Sequence, residues 1–316
     1  MDITRRIQTR RKIEGISAVL LPFNEDRTID LDSFAANVLR TTNAGITPAV
    51  NMDTGYTNLL TATERREVLN VTRQTIPGKP FVAGAFVETE SGSAVANYQT
   101  AVCEIVRAGG TPILFQCSEF KSLSRSELIA TYKTVAQNCE KMFAFELGDM
   151  FAPFGQIYDL DTVSELMQIP QIVGMKHSSL SRRLELQRLE LRDKLRPEFK
   201  VYTGNDLAID MVIYGSDYLL GLSAFSPEGF AARDKLWESG DPLFYELNDL
   251  LQYLGFLAFR PPVPAYKHTA AQFLKLRGRI KTDLPHPKAS VRPDSDVAIL
   301  RDISERLDRM LAEIKS

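Results

Sequence analysis

Cysteine is scarce in this 316-residue chain: Cys103, Cys117 and Cys139 form an odd, widely spaced set that fits neither a disulfide framework nor a structural zinc site. Packing is their expected role. Histidine is as rare, and His268 and His286 stand outside any His/Cys/Asp ligand spacing, so no zinc is expected. An excess of one charge is lacking too: 38 Lys and Arg face 40 Asp and Glu, a net charge of −2. That balance argues against nucleic-acid partners and against a polybasic membrane anchor. No apolar run approaches the ~20 residues of a membrane-spanning helix. The opening Met1-Asp2-Ile3-Thr4-Arg5-Arg6 lacks the apolar stretch of a secretory leader, so the expected location is cytoplasmic. No Gly-x-Gly-x-x-Gly follows the first predicted strand, which counts against an open dinucleotide-binding sheet.

What is present is a rhythm. With 44% hydrophobic and 25% charged residues the chain can bury a large core. Short apolar runs recur at 16–23, 47–52, 81–87, 111–116, 142–147, 171–176, 199–203 and 217–223, each followed by a stretch with helical spacing. The helical stretches open on cap signals: Asp30, Thr61 with Glu64, Ser124 with Glu127, and Asp159. Eight strand–helix units predict parallel pairing, right-handed crossovers and a closed α/β (β/α)8 TIM barrel over residues 12–228. Residues 229–316 read as a C-terminal helical segment packed on the barrel. Its apolar run at 247–259 is broken by Arg260-Pro261-Pro262-Val263-Pro264 and followed by a helix at 265–276.

In such a barrel, chemistry collects at the C-terminal ends of the strands. Those ends carry Asn51, Asp53, Thr54 and Tyr56; Glu88; Gln116, Glu119 and Phe120; Glu146 and Asp149; Lys176 and His177; Gly204, Asn205 and Asp206; and Ser223. Lys176 is the one cation among several acids. Burial favours its neutral amine, a nucleophile for carbonyl carbon, whereas a neighbouring carboxylate such as Glu146 would make it a structural ion pair. The residues alone leave both readings open. The acids Asp53, Glu88, Glu119, Glu146 and Asp149 also admit a magnesium-type, metal-dependent enolate-forming lyase as an alternative. A non-catalytic ligand-binding barrel is a third reading.

The segment Gly174-Met175-Lys176-His177-Ser178-Ser179, followed by Gly204-Asn205-Asp206, resembles the active-lysine region of the dihydrodipicolinate synthase and N-acetylneuraminate lyase family. Leu20-Leu21-Pro22-Phe23, Asp53-Thr54-Gly55-Tyr56 with Leu60-Thr61-Ala62-Thr63-Glu64-Arg65, Gly221-Leu222-Ser223, Pro262-Val263-Pro264-Ala265-Tyr266-Lys267 and Val291-Arg292-Pro293 are similar to further landmarks, in the same order. The resemblance implies a class I aldolase or lyase in which Lys176 forms an imine with a 2-oxo acid such as pyruvate. It implies no separate cofactor, a small-molecule substrate, and a homo-oligomer, tetramer or dimer. By the same resemblance Asp53, Thr54, Gly55, Tyr56, Phe120, Gly204, Asn205 and Leu222 are the expected substrate-binding residues.

The chain also departs from the family's pattern. A tyrosine usual at the end of the fifth strand is missing from Phe143-Ala144-Phe145-Glu146-Leu147-Gly148-Asp149. The tyrosine's position falls on Glu146 or on Gly148; placing Phe143, Phe145 and Leu147 on the outward face favours Glu146, inside the barrel, where it is expected to replace that tyrosine as proton shuttle. Phe120 replaces an aromatic hydroxyl, and Asp53 a hydroxyl that would bind the substrate carboxylate. The expected enzyme is therefore a Schiff-base lyase on a pyruvate-type or sugar-derived 2-oxo acid, and not dihydrodipicolinate synthase itself. His177, next to Lys176 on the strand, is expected to face the helical layer.

Overall fold

The computed structural model describes residues 2–314. Eight parallel strands close on themselves in sequence order: β1 (Gly15–Ala18), β2 (Thr47–Val50), β3 (Val82–Ala85), β4 (Thr111–Leu114), β5 (Met142–Leu147), β6 (Ile172–Ser178), β7 (Lys200–Thr203) and β8 (Asp217–Leu220), with β8 pairing β1. The fold is a TIM barrel. Helices α1 (Leu31–Asn43), α2 (Ala62–Thr75), α3 (Ala94–Arg107), α4 (Arg125–Ala136), α5 (Leu160–Met167) and α6 (Arg182–Leu195) make the first six crossovers. A 3-10 turn at Ile209–Tyr214 makes the seventh, in place of the expected helix.

Local chemistry explains the helix starts. Thr61 with Glu64 and Ser124 with Glu127 form complete capping boxes on α2 and α4, while Asp30 and Asp159 accept the backbone N–H groups of Ser33 and Thr162. Each satisfies a donor that the helix itself leaves unpaired.

α7 (Pro227–Ser239) packs on β1 and α1 and closes the ring, so a division at residue 228 falls inside the barrel's last helix. Beyond it lie α8 (Leu243–Ala258), α9 (Tyr266–Leu276) and α10 (Asp296–Glu313). The apolar stripe of α8, with Leu247, Leu250, Leu251, Leu254 and Ala258, is buried within the chain.

Two cores result. The larger lies between the strands and the helices; the smaller fills the barrel with Ile16, Ala49, Val82, Ile113, Phe115, Phe143, Phe145, Tyr202 and Leu219. The β5–β6 register pairs Phe145 with Lys176 and Glu146 with His177. Side-by-side residues of parallel strands share a face, so the expected orientation of β5 is inverted: Phe143, Phe145 and Leu147 point inward and Glu146 outward. Both faces of a barrel strand are buried, and a six-residue apolar alternation does not say which face is which. Aromatic packing decides it, with Phe145 edge-on to Phe115 at 5.1 Å and Phe143 edge-on to Tyr202 at 5.2 Å inside the barrel.

Candidate active site

Lys176 emerges from β6 into a cavity of about 30 Å³ at the C-terminal end of the barrel. Asp53, Thr54, Ser178, Gly204, Asp206, Gly221 and Tyr266 supply its polar lining, and Ala18, Met52, Phe145, Leu147, Phe151 and Phe259 its apolar walls. The lysine is 9% exposed, and its Nζ lies 4.7 Å from the centre of the Phe145 ring. Among the described residues its amine forms no ion pair. Burial pushes its pKa down to about 8, against the opposing pull of Asp206 and then Asp53. An amine so placed exchanges its proton near neutrality.

Gly204 makes room for it. A Cβ at that position would stand 2.7 Å from Lys176 Cε and 2.0 Å from Ser178 Oγ, so no larger residue fits without displacing the lysine stem. Ser178 Oγ is buried and has no hydrogen-bond partner among the described residues, leaving it available to a molecule in the cavity.

Asp53 is bridged. Lys267 Nζ donates to its Oδ1 at 3.0 Å and the Tyr266 hydroxyl donates to its Oδ2 at 2.8 Å; Tyr266 Oη also lies 2.8 Å from Thr54 Oγ1. Burial would raise the pKa of Asp53, but Lys267 and Tyr266 hold it below the ordinary carboxylate value. Its charge is thus cancelled locally. Both partners come from α9, and Phe259 at the end of α8 stacks on Tyr266 at 4.2 Å. The C-terminal segment therefore builds one wall of the site.

Asp206 is the residue that sequence reasoning placed at a strand end without giving it a role. Its Oδ1 accepts from Leu222 N at 2.7 Å. Burial pushes its pKa up to about 7, despite the backbone N–H of Leu222 and the charge of Lys176. Tyr266 and Phe259 were also unassigned, because neither their distance along the chain nor the periodicity of α8 and α9 links them to the barrel mouth.

Of the expected binding residues, Asp53, Thr54 and Gly204 line the cavity with Lys176. The others stand outside its lining. Tyr56, left-handed at φ 58°, packs on Phe23 and His286 beneath Lys267. Gly55 turns the loop, with its N–H donating to Met52 O at 3.0 Å. Phe120 lies in the outer core between Tyr98 and Tyr132. Asn205 Oδ1 accepts from Leu207 N, and Leu222 contributes its backbone N–H to Asp206.

Glu146 is also outside. It is fully buried in the helical layer, where Arg188 Nε and Nη2 donate to it at 2.7 and 3.0 Å, Tyr158 N donates at 2.9 Å and His177 Nδ1 lies at 2.5 Å. Burial would raise its pKa, but His177 and Arg188 hold it below the ordinary value. Neither a shuttle for Lys176 nor its ion-pair partner can occupy that place. His177 faces the helical layer as expected, with Ser179 Oγ 2.5 Å from its Nε2. The proposed metal-binding acids do not converge: Glu88 binds Ser118 N and Oγ, Glu146 is outside, and among the described residues no three His, Cys, Asp or Glu side chains are grouped for a metal ion.

A closed parallel barrel with a buried amine at its mouth defines an enzyme of the aldolase-like barrel class. The chain belongs to the dihydrodipicolinate synthetase family, whose model matches residues 12–226, and it is a lyase with that family's members. Among curated relatives, the 4-hydroxy-tetrahydrodipicolinate synthase of Kosmotoga olearia is 27% identical over 209 residues, covering 65% of this chain and 68% of the relative. That of Methanothermobacter thermautotrophicus is 25% identical over 293 residues, covering 89% and 100%. Solved structures agree on the fold: dihydrodipicolinate synthase from Thermotoga maritima superposes with a TM-score of 0.79 at 18% identity, covering 94% of this chain and 99% of that one. The YagE protein of E. coli K12, solved in complex with pyruvate, matches with a TM-score of 0.79 at 18% identity, covering 94% and 98%.

Proposed function

We propose that the protein is a cytoplasmic Schiff-base lyase that cleaves or forms a carbon–carbon or carbon–oxygen bond in a small 2-oxo acid, pyruvate-type or sugar-derived, without a separate cofactor. The observation that carries this reading is Lys176: a buried amine without an ion pair among the described residues, with a pKa near 8, facing a cavity at the barrel mouth. At pH 7 about one-tenth of such amines are neutral. The neutral amine attacks the 2-oxo carbon, and loss of water leaves a protonated imine. Its C=N bond takes up the electron pair released when the bond beyond the adjacent carbon breaks.

The unpartnered Ser178 hydroxyl and Thr54 offer hydrogen bonds to the substrate carboxylate, while Phe145, Leu147 and Phe151 suit its short carbon chain. The ring of Phe145 beside Lys176 carries no hydroxyl, and Phe120 is buried elsewhere, which supports a reaction other than synthesis of 4-hydroxy-tetrahydrodipicolinate. Assembly into a dimer or tetramer belongs to the same reading. It is supported by the aromatic side chains that α8 leaves exposed, Tyr245, Tyr253 and Phe256.

Borohydride reduction in the presence of a panel of 2-oxo acids, beginning with pyruvate, tests the proposal by intact-protein and peptide mass spectrometry. A stable adduct mapping to Lys176 and absent from Lys176→Ala is expected. A folded protein that gives no adduct with any candidate overturns the reading. Gly204→Ala is a second check: the added methyl should displace the lysine stem, reduce adduct yield at least ~10-fold and cost about 1–3 kcal/mol in chemical denaturation.

A further inference from the structure

The cavity holds two buried charged side chains without an ion-pair partner among the described residues, and only Lys176 has so far been given work. The other is Asp206. Imine chemistry needs a group that removes a proton from the carbon next to the imine and returns it, and that group must share the cavity with the lysine. The Ser178 hydroxyl is not a base at neutral pH, and the other polar groups do not suit the task either. Asp53 is bridged by Lys267 and Tyr266, and its depressed pKa makes it a poor proton acceptor at neutral pH. Thr54 and Tyr266 are hydrogen-bonded to each other, and burial, with Asp53 adding to it, raises the phenol well above its ordinary pKa. Glu146 is on the far side of the sheet.

Asp206 is also held in place. Its carboxyl accepts from Leu222 N at the end of β8, while its backbone carbonyl accepts from Gln252 Nε2 of α8 at 3.1 Å. Gly255 permits that close approach, since a Cβ there would stand 2.7 Å from the same carbonyl oxygen. Two elements from different parts of the chain thus fix one carboxyl at the wall of the lysine's cavity.

We propose that Asp206 is the acid–base catalyst of this site, taking the proton from the carbon adjacent to the Lys176 imine and giving it back. The inference rests on the imine reading above. In the step, the C3–H bond of the bound pyruvate unit breaks, its proton passes to the Asp206 carboxylate and its electron pair forms the C2–C3 double bond. The C=N pair moves onto nitrogen, so a cationic imine and an anionic carboxylate become a neutral enamine and a neutral acid. The charged and titratable groups facing Asp206 are Lys176 of β6, Asp53 after β2 and Tyr266 of α9; the β8 end presents only backbone N–H groups. Burial outweighs the lysine among them and places the titration of Asp206 near neutrality, where a base can work in both directions.

The test is exchange of the methyl protons of pyruvate in D2O, followed by proton NMR, alongside borohydride trapping. Asp206→Asn keeps an oxygen for Leu222 N, so the fold and the Lys176 adduct should persist. Exchange should fall at least ~100-fold and the rate limb near pH 7 should disappear, while Asp206→Glu restores part of both. An Asp206→Asn enzyme that still forms the adduct and exchanges at the wild-type rate with the same pH limb overturns the proposal. Wild-type protein that forms no adduct with pyruvate or any other 2-oxo acid of the panel fails the imine reading instead, which separates the two failures.

Discussion

Glu146→Ala is expected to destabilise the fold by about 3–5 kcal/mol, the effect of removing one member of a buried ion pair and leaving the other uncompensated. Arg188 loses two charge-assisted hydrogen bonds and the His177 ring loses its Nδ1 partner, all in the fully buried layer between β5, β6 and α6. Urea denaturation at pH 7 measures the loss. The cavity chemistry should survive, because Glu146 and Lys176 lie on opposite faces of the sheet. Glu146→Gln, which retains acceptor capacity, separates fold from function: its Lys176 adduct yield per folded molecule should match wild type. A ~100-fold loss of proton exchange in that variant, with the fold intact, would restore Glu146 as the shuttle.

Lys176→Met should behave in the opposite way, with adduct formation and turnover abolished and stability raised. The lysine's pKa falls from 10.5 to about 8 on folding, so the folded state disfavours the ammonium. At pH below 8 both folded and unfolded states are protonated and the full penalty applies, about 3 kcal/mol from the size of the shift. It fades as pH rises from 8 toward 10.5, where the folded lysine is already neutral and the unfolded one is losing its proton. The stability gained by Lys176→Met at pH 7 should therefore shrink when the two proteins are compared at pH 10 by denaturation. A constant difference across that range would show that the amine is not desolvated in the native state. Such a residue, kept against its own stability cost, is the pattern of a functional site.

The contrast between these two buried charges also explains what was legible in the sequence. Eight strands, their order and the lysine's place could be read because each strand–helix unit repeats the same local signals, and because a lysine ending Ile172-Val173-Gly174-Met175 is locally conspicuous. The orientation of β5 could not be read. Phe143, Phe145 and Leu147 are equally suited to either buried face, and only the distant Arg188 shows where the acid goes. Asp206 was visible as a strand-end residue, but its importance follows from a charge left without an ion-pair partner, which sequence does not display. The loop residues Tyr56 and Phe120 failed for another reason: a position after a strand fixes neighbourhood, whereas the direction of the side chain is set by aromatic packing with Phe23, Tyr98 and Tyr132. Tyr266 and Lys267 meet Asp53 across more than two hundred residues of chain, a contact that only tertiary structure creates.

That last contact bears on the order in which the molecule becomes competent during synthesis. The lysine, the acid that follows the seventh strand and the whole ring of strands leave the ribosome before α9, and N-terminal portions of a chain have the first opportunity to fold. Until residues 259–267 dock, Asp53 lacks its counter-charge, Thr54 lacks the Tyr266 hydroxyl, and the amine's chamber has no fourth wall. A nascent barrel would thus carry its nucleophile in a wet, unfinished pocket, where an ammonium keeps its proton. If Lys176 works as proposed, its reactivity arrives only when α9 docks, which makes the tail a timer on the first chemistry the chain can do.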